Sequence, residues 1–226
     1  MLTPLNSGVI IGVLCLQGLQ WGMSEGALFR HQVGAAWLSV PENVRLRFDH
    51  DPIPGTVVRY TGVMSTVRCS LIGKILGWLV QHTGALMHLE GTNVPVDIDV
   101  WKDSHDHSVR KRRVYHFQDR KPFVFESRME LDANGELAEH VGGGLGMYVR
   151  VAAASEGLRF TDAGYFLQIA SYRLTVPDWL GPGRVFLCHA DVGPHEFRIL
   201  IEIRHPVFGR LFWQEGVFQH TASSNV

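Results

Sequence analysis

From Val94 to the C-terminal end, apolar residues recur with a period of two in segments roughly ten residues apart, and that pattern leaves few architectures open. Val94, Val96, Ile98 and Val100 alternate with Pro95, Asp97, Asp99 and Trp101. Phe123, Phe125, Met129 and Leu131 alternate with Glu126, Arg128 and Glu130 in the same way. Each segment reads as a strand with one dry and one wet face. Further strands are predicted at 57–68, 112–118, 136–141, 145–153, 157–161, 165–176, 184–190, 196–205 and 211–219. Asn134-Gly135, Gly181-Pro182-Gly183 and Gly193-Pro194 supply turn chemistry between them. Short strands in such close succession join as an antiparallel meander, and a sheet that long curls on itself. The predicted class is α+β and β-rich: a long curved antiparallel sheet or partly open barrel, with a two-sheet sandwich as the competing architecture.

Helical periodicity is confined to the first third of the chain. Ser24 is a candidate N-cap for a helix over 24–39, and a short second helix follows over 41–48, ended by the Asp-Pro-Ile-Pro-Gly run at 51–55. Over 70–81, Leu71, Ile72, Ile75, Leu76, Leu79 and Val80 recur at helical spacing with Lys74 as the single full charge. Two or three helices near the N-terminus are therefore expected against one face or mouth of the sheet. Leu71, Ile75 and Leu79 share a face of the third helix and are candidate lid residues; the spacing of Gly73 and Gly77 suits close packing on the sheet.

With 226 residues, 46% of them apolar and 19% charged, the chain can bury a substantial core as one domain. That domain is predicted over 24–220, after an apolar leader at 1–23 and before a frayed polar tail at 221–226. No Lys or Arg precedes the apolar run Val9–Leu19, and the run is too short to span a bilayer, so neither a cleaved signal nor a transmembrane segment is predicted. A formal net charge of -1 argues against nucleic acid as a partner. Cys15, Cys69 and Cys188 are spaced too widely for a disulfide framework or a zinc site, which suits free thiols in a cytoplasmic setting.

There is no H-E-x-x-H pair and no Cys-x-x-Cys, and no cofactor can be named. Strand parity offers one constellation. Phe197, Ile199, Ile201 and Ile203 share a face with His205, while Val185 and Leu187 share one with His189 and Asp191. Two imidazoles and a carboxylate near strand ends suit hydrogen bonding to a ligand, proton transfer or metal binding. The plainer alternative is that each His satisfies a strand-end carbonyl and Asp191 shapes its turn. His105-Asp106-His107 reads as a solvated hairpin loop rather than a metal site; Arg110-Lys111-Arg112-Arg113 could grip a phosphate or a headgroup, but with no RNA-binding signature beside it a strand entry facing water is preferred. Gly142-Gly143-Gly144-Leu145-Gly146 is followed by β-patterned sequence, so it reads as a bend in the sheet rather than a phosphate loop.

Several ordered segments carry a family resemblance. They are Phe125-Glu126-Ser127-Arg128-Met129, Glu139-His140-Val141 running through the glycines to Met147, Gly164-Tyr165-Phe166-Leu167, and Pro177 through Gly183. To these are added His189-Ala190-Asp191-Val192-Gly193, and His205-Pro206-Val207-Phe208-Gly209 running on to Gln214-Glu215-Gly216-Val217-Phe218. From about Ala27 to Phe218 the chain resembles a bacterial family known only as domain of unknown function 4166. The resemblance implies a β-rich domain, in some members fused behind a dinucleotide-binding oxidoreductase-like domain or a polytopic membrane segment, and it brings no established activity. It draws Gln214 into the candidate set with His189, Asp191 and His205.

Three functions follow as expectations. The first is non-catalytic binding of a small hydrophobic or lipid-like ligand in an apolar pocket. The second is an accessory or catalytic half of an oxidoreductase-type enzyme, using the His/Asp set on a substrate from a separate oxidoreductase partner. The third is a structural interaction module.

Overall fold

The computed structural model describes residues 24–49, 56–81, 86–106, 108–132 and 134–225. The period-two segments form eleven strands: β1 (Thr56–Cys69), β2 (Gly91–Lys102), β3 (Val109–Tyr115), β4 (Phe123–Leu131), β5 (Leu137–His140), β6 (Leu145–Ala154), β7 (Gly157–Ile169), β8 (Tyr172–Val176), β9 (Arg184–Gly193), β10 (Glu196–His205) and β11 (Gly209–Asn225). Neighbours pair antiparallel, and the first strand meets the last, with Thr61 opposite Gln219 and Cys69 opposite Phe212. A 10-strand barrel is thereby closed, rather than left partly open. Closure removes the free edges that so long an antiparallel sheet would otherwise expose.

β8 stands outside the ring. The first half of β7 pairs with β9, from Gly157 opposite Ala190 to Thr161 opposite Phe186; its second half pairs instead with β8, from Tyr165 opposite Val176 to Ile169 opposite Tyr172. Strand β7 thus runs unbroken where the sequence suggested two segments, and it changes partner near Gly164, whose φ of +117° only glycine adopts without strain. Side chains hold the seam left above that point. Asp162 accepts from the Val185 N–H at 2.6 Å and from Arg184 at 3.0 Å, and the Tyr165 hydroxyl donates to the Gly183 carbonyl at 2.5 Å.

One end of the barrel is plugged by the N-terminal helices. Ser24 caps α1 (Glu25–Val33), its Oγ accepting from the Ala27 N–H, and a 3-10 turn over Gly34–Ser39 leads to α2 (Glu42–Phe48). Leu28, Phe29, Trp37, Val44 and Phe48 pack against Leu137, Val149, Val151, Leu158 and Phe160 of the wall. At the other end lies α3 (Leu71–Leu79), capped by Ser70. It rests on its glycines. Gly73 and Gly77 are its buried residues, and a β-carbon at Gly73 would lie 2.4 Å from the Leu211 carbonyl oxygen.

No helix among the described residues is long and apolar enough to cross a membrane. The polar residues expected to fray continue β11, where Ser224 pairs with Val57 and Asn225 with Thr56. The predicted leader at 1–23, the 51–55 turn and His107 lie outside the described residues.

Candidate functional site

Between α3 and the N-terminal plug the barrel encloses a cavity of about 350 Å³. Its wall is largely apolar and includes Phe123, Val185, Leu187, Ile201 and Phe212, which alternate along their strands with outward-facing residues. Leu76, Leu79 and Val80 at the end of α3 roof it, and Leu180, Gly181 and Pro182 close the seam beside β8.

Five polar side chains break the apolar lining, one of them Tyr165, whose hydroxyl is taken up by the Gly183 carbonyl. Arg113 and Tyr115 enter from β3, Glu139 from β5 and Gln214 from β11. Gln214 is 2% exposed; its Nε2 donates to the Tyr115 hydroxyl at 3.1 Å, and its Oε1 has no partner among the described residues. Burial raises the Tyr115 pKa, which keeps the hydroxyl protonated. Arg113 lies 5.3 Å from the Phe125 ring centroid and has no hydrogen bond or ion pair among the described residues. Glu139 is buried and likewise unpaired there.

Parity explains how the cations came inside. In the run Arg110-Lys111-Arg112-Arg113, expected to face water throughout, Arg110 and Arg112 do so and pair with Asp103 and Glu126. Lys111 and Arg113 fall on the same face as Val109 and Tyr115 and turn inward; Lys111 forms a buried ion pair with Glu25 of α1. Arg47 of α2 also points into the barrel, its guanidinium carbon 3.5 Å from the Phe197 ring centroid. Burial lowers the Arg47 pKa to about 10, opposed by Tyr60 and Glu25.

The structure places the four sequence-predicted residues in three different settings. His189 sits at the plugged end, where rings of Phe48, Phe160 and Phe197 surround it and its Nδ1 accepts from Arg47 at 2.8 Å. Burial holds its pKa well below the ordinary imidazole value, reinforced by Arg47, Lys111 and Arg113, so the ring is neutral with its proton on Nε2. Asp191 ties α2 to the β9–β10 turn, accepting from Asn43 Nδ2 at 3.2 Å and the Gly193 N–H at 3.3 Å. His205 lies at the opposite end of the barrel. Its Nδ1 accepts from the Val207 and Phe208 N–H groups at 3.1 and 3.3 Å, and its ring stacks on Phe208.

His189 faces Ile199 across the ladder, so His205 is six residues further along β10, roughly 20 Å at about 3.3 Å per residue. The two imidazoles and Asp191 therefore do not form one cluster, and only Gln214 of the four lines the cavity. Of the lid candidates, Leu79 reaches the cavity. Leu71 and Ile75 point outward at 74% and 52% exposure, because the helix is seated on the Gly73/Gly77 face instead. Among the described residues no group of three or more His, Cys, Asp or Glu is arranged to hold a metal.

Arg113, Tyr115 and Glu139 were absent from the candidates read off the sequence. The signal for the first two was the Val109-x-Lys111-x-Arg113-x-Tyr115 parity, masked by the density of charge.

The family model described as Domain of unknown function (DUF4166) matches residues 40–218. No curated protein and no solved structure matches the chain.

Proposed function

Since the chain belongs to the DUF4166 family, whose description assigns no activity, we propose a function from its barrel: it binds a small hydrophobic or lipid-like ligand without transforming it. The observation that carries this reading is the cavity of about 350 Å³ left open behind a roof of Leu76, Leu79 and Val80. Barrels of this size either fill their interior with side chains or hold one small ligand. An interior left open and lined by Leu187, Ile201 and Phe212 favours an apolar guest, since water in it finds few polar partners. The separation of His189 from His205 supports a binding role over acid–base chemistry, which needs its groups within reach of one open position.

Native mass spectrometry of the purified protein, before and after organic extraction, tests the reading. A co-purifying lipid-like species, or uptake of a neutral probe such as Nile red after extraction, is the expected result. Leu187→Trp, which fills the cavity, should abolish that uptake while the protein stays folded. A bare mass together with no uptake of the neutral probe overturns the reading.

A further inference from the structure

The cavity also carries information about the ligand's head. Arg113 is a half-buried guanidinium on the wall of an apolar enclosure, and among the described residues no carboxylate forms an ion pair with it. An unpaired charge is costly to bury, and buried charges in folded proteins are matched by counter-charges or ligands. The wider interior sharpens the point. Arg47, Lys111 and Arg113 all reach inward; Lys111 is neutralised by Glu25, whereas Arg47 turns to neutral His189 and adds to the positive field at Arg113.

Glu139, the other unpaired charge on the wall, makes no ion pair with Arg113 and repels an anion. An anionic head is therefore favoured on the Arg113 side. There the Tyr115 oxygen accepts from Gln214 Nε2, leaving its own proton to donate. Turning the Gln214 amide over would let Oε1 accept the Tyr115 proton, and Nε2 would then take the place of the hydroxyl as the donor there.

We propose that the ligand is a single-chain amphiphile whose carboxylate pairs with Arg113 and accepts from Tyr115, while its apolar chain lies among Leu187, Ile201 and Phe212. The guanidinium fork fits a planar carboxylate through two parallel hydrogen bonds. Volume sets the chain length. At about 350 Å³ the cavity stands at the small end of the roughly 300–1,000 Å³ usual for ligand pockets, which suits one medium chain. The proposal rests on the barrel being a carrier of hydrophobic ligands.

The test is displacement of Nile red from the full chain, after organic extraction, by decanoate, decanol and decyl phosphate at pH 8. Decanoate should bind at least about tenfold more tightly than decanol, as one charge-assisted pair contributes about that factor. Arg113→Gln should bring the decanoate and decanol affinities together, with thermal unfolding of the variant showing that it folds. Equal binding of decanoate and decanol by the wild-type protein, or a preference surviving in Arg113→Gln, overturns the carboxylate assignment and leaves the carrier reading standing. A preference for decyl phosphate over decanoate overturns it too. If the protein takes up neither Nile red nor decanol, the carrier reading itself falls and the assignment with it.

Discussion

Arg47 donates from Nη1 to His189 Nδ1 at 2.8 Å, joining two residues 142 positions apart and anchoring α2 to the barrel wall. Because a cation is the donor, the imidazole must stay neutral to accept. Its pKa in the folded protein is depressed, whereas in the unfolded chain it returns to about 6.5. The unfolded state therefore takes up the proton first. The stability contributed by neutral His189 is present in full above about pH 6.5 and declines as the pH falls below it. Urea unfolding measured from pH 8 to 5 should show this loss, and His189→Gln, which retains an acceptor, should flatten it. An unchanged slope in the variant would remove His189 as its source.

The buried pair of Lys111 and Glu25 gives a second expectation. Their side chains are 10% and 7% exposed, so Glu25→Gln leaves a cation in the core with no counter-charge. A loss of about 3–5 kcal/mol is expected by denaturant titration. Combining it with Lys111→Met should recover much of that loss, since an apolar replacement carries no unpaired charge. A double variant no more stable than Glu25→Gln would count against the pairing.

The seating of α3 can be probed chemically. Gly73→Ala would force the helix away from the Leu211 carbonyl and the Cys69 sulfur, which lie 2.4 and 2.9 Å from the added β-carbon. Burial, reinforced by Glu90, raises the Cys69 thiol pKa to about 11, so the thiol is unreactive in the native protein. Alkylation followed by peptide mass spectrometry should label Cys69 faster in Gly73→Ala, with Cys188 unchanged as the internal control. Equal rates at Cys69 would show that the roof accommodates the methyl group without lifting.

Gly164 provides the last. A β-carbon there meets nothing within 4 Å, so Gly164→Ala isolates the cost of the φ of +117° from any clash. Thermal unfolding should report a loss of about 1–3 kcal/mol. No loss would mean that β7 can change partners with ordinary backbone geometry.

Much of the barrel was legible because one-sided strands declare themselves. The limits of β4 and β10 follow directly from the alternation of Phe123 to Leu131 and Phe197 to His205. What could not be read was direction and partner. Parity alone puts His189 and His205 on the same kind of face, yet consecutive antiparallel strands set the end of β9 beside the beginning of β10, which sends the two rings to opposite ends. Gly164 looked like a break between strands and is a bend within one. On α3 the spacing of Gly73 and Gly77 suggested close packing on the sheet, and that face does meet the barrel, which leaves the lid candidates Leu71 and Ile75 pointing outward. Lys111 and Arg113 were hidden by their neighbours, since a run of four cations reads as solvated unless each is assigned to a face.

The pairing of β1 with β11 also constrains how the protein is made. Thr56–Cys69 leaves the ribosome long before Gly209–Asn225, and until that last strand arrives β1 has only β2 beside it. Hairpins from β2 to β10 can form in order as they emerge, but the ring requires nearly the whole chain, an arrangement of high contact order that favours slow completion. A nascent chain stalled after β10 presents two open sheet edges and an unroofed apolar interior. Premature termination in the final strand therefore yields an aggregation-prone open sheet rather than a slightly shortened barrel.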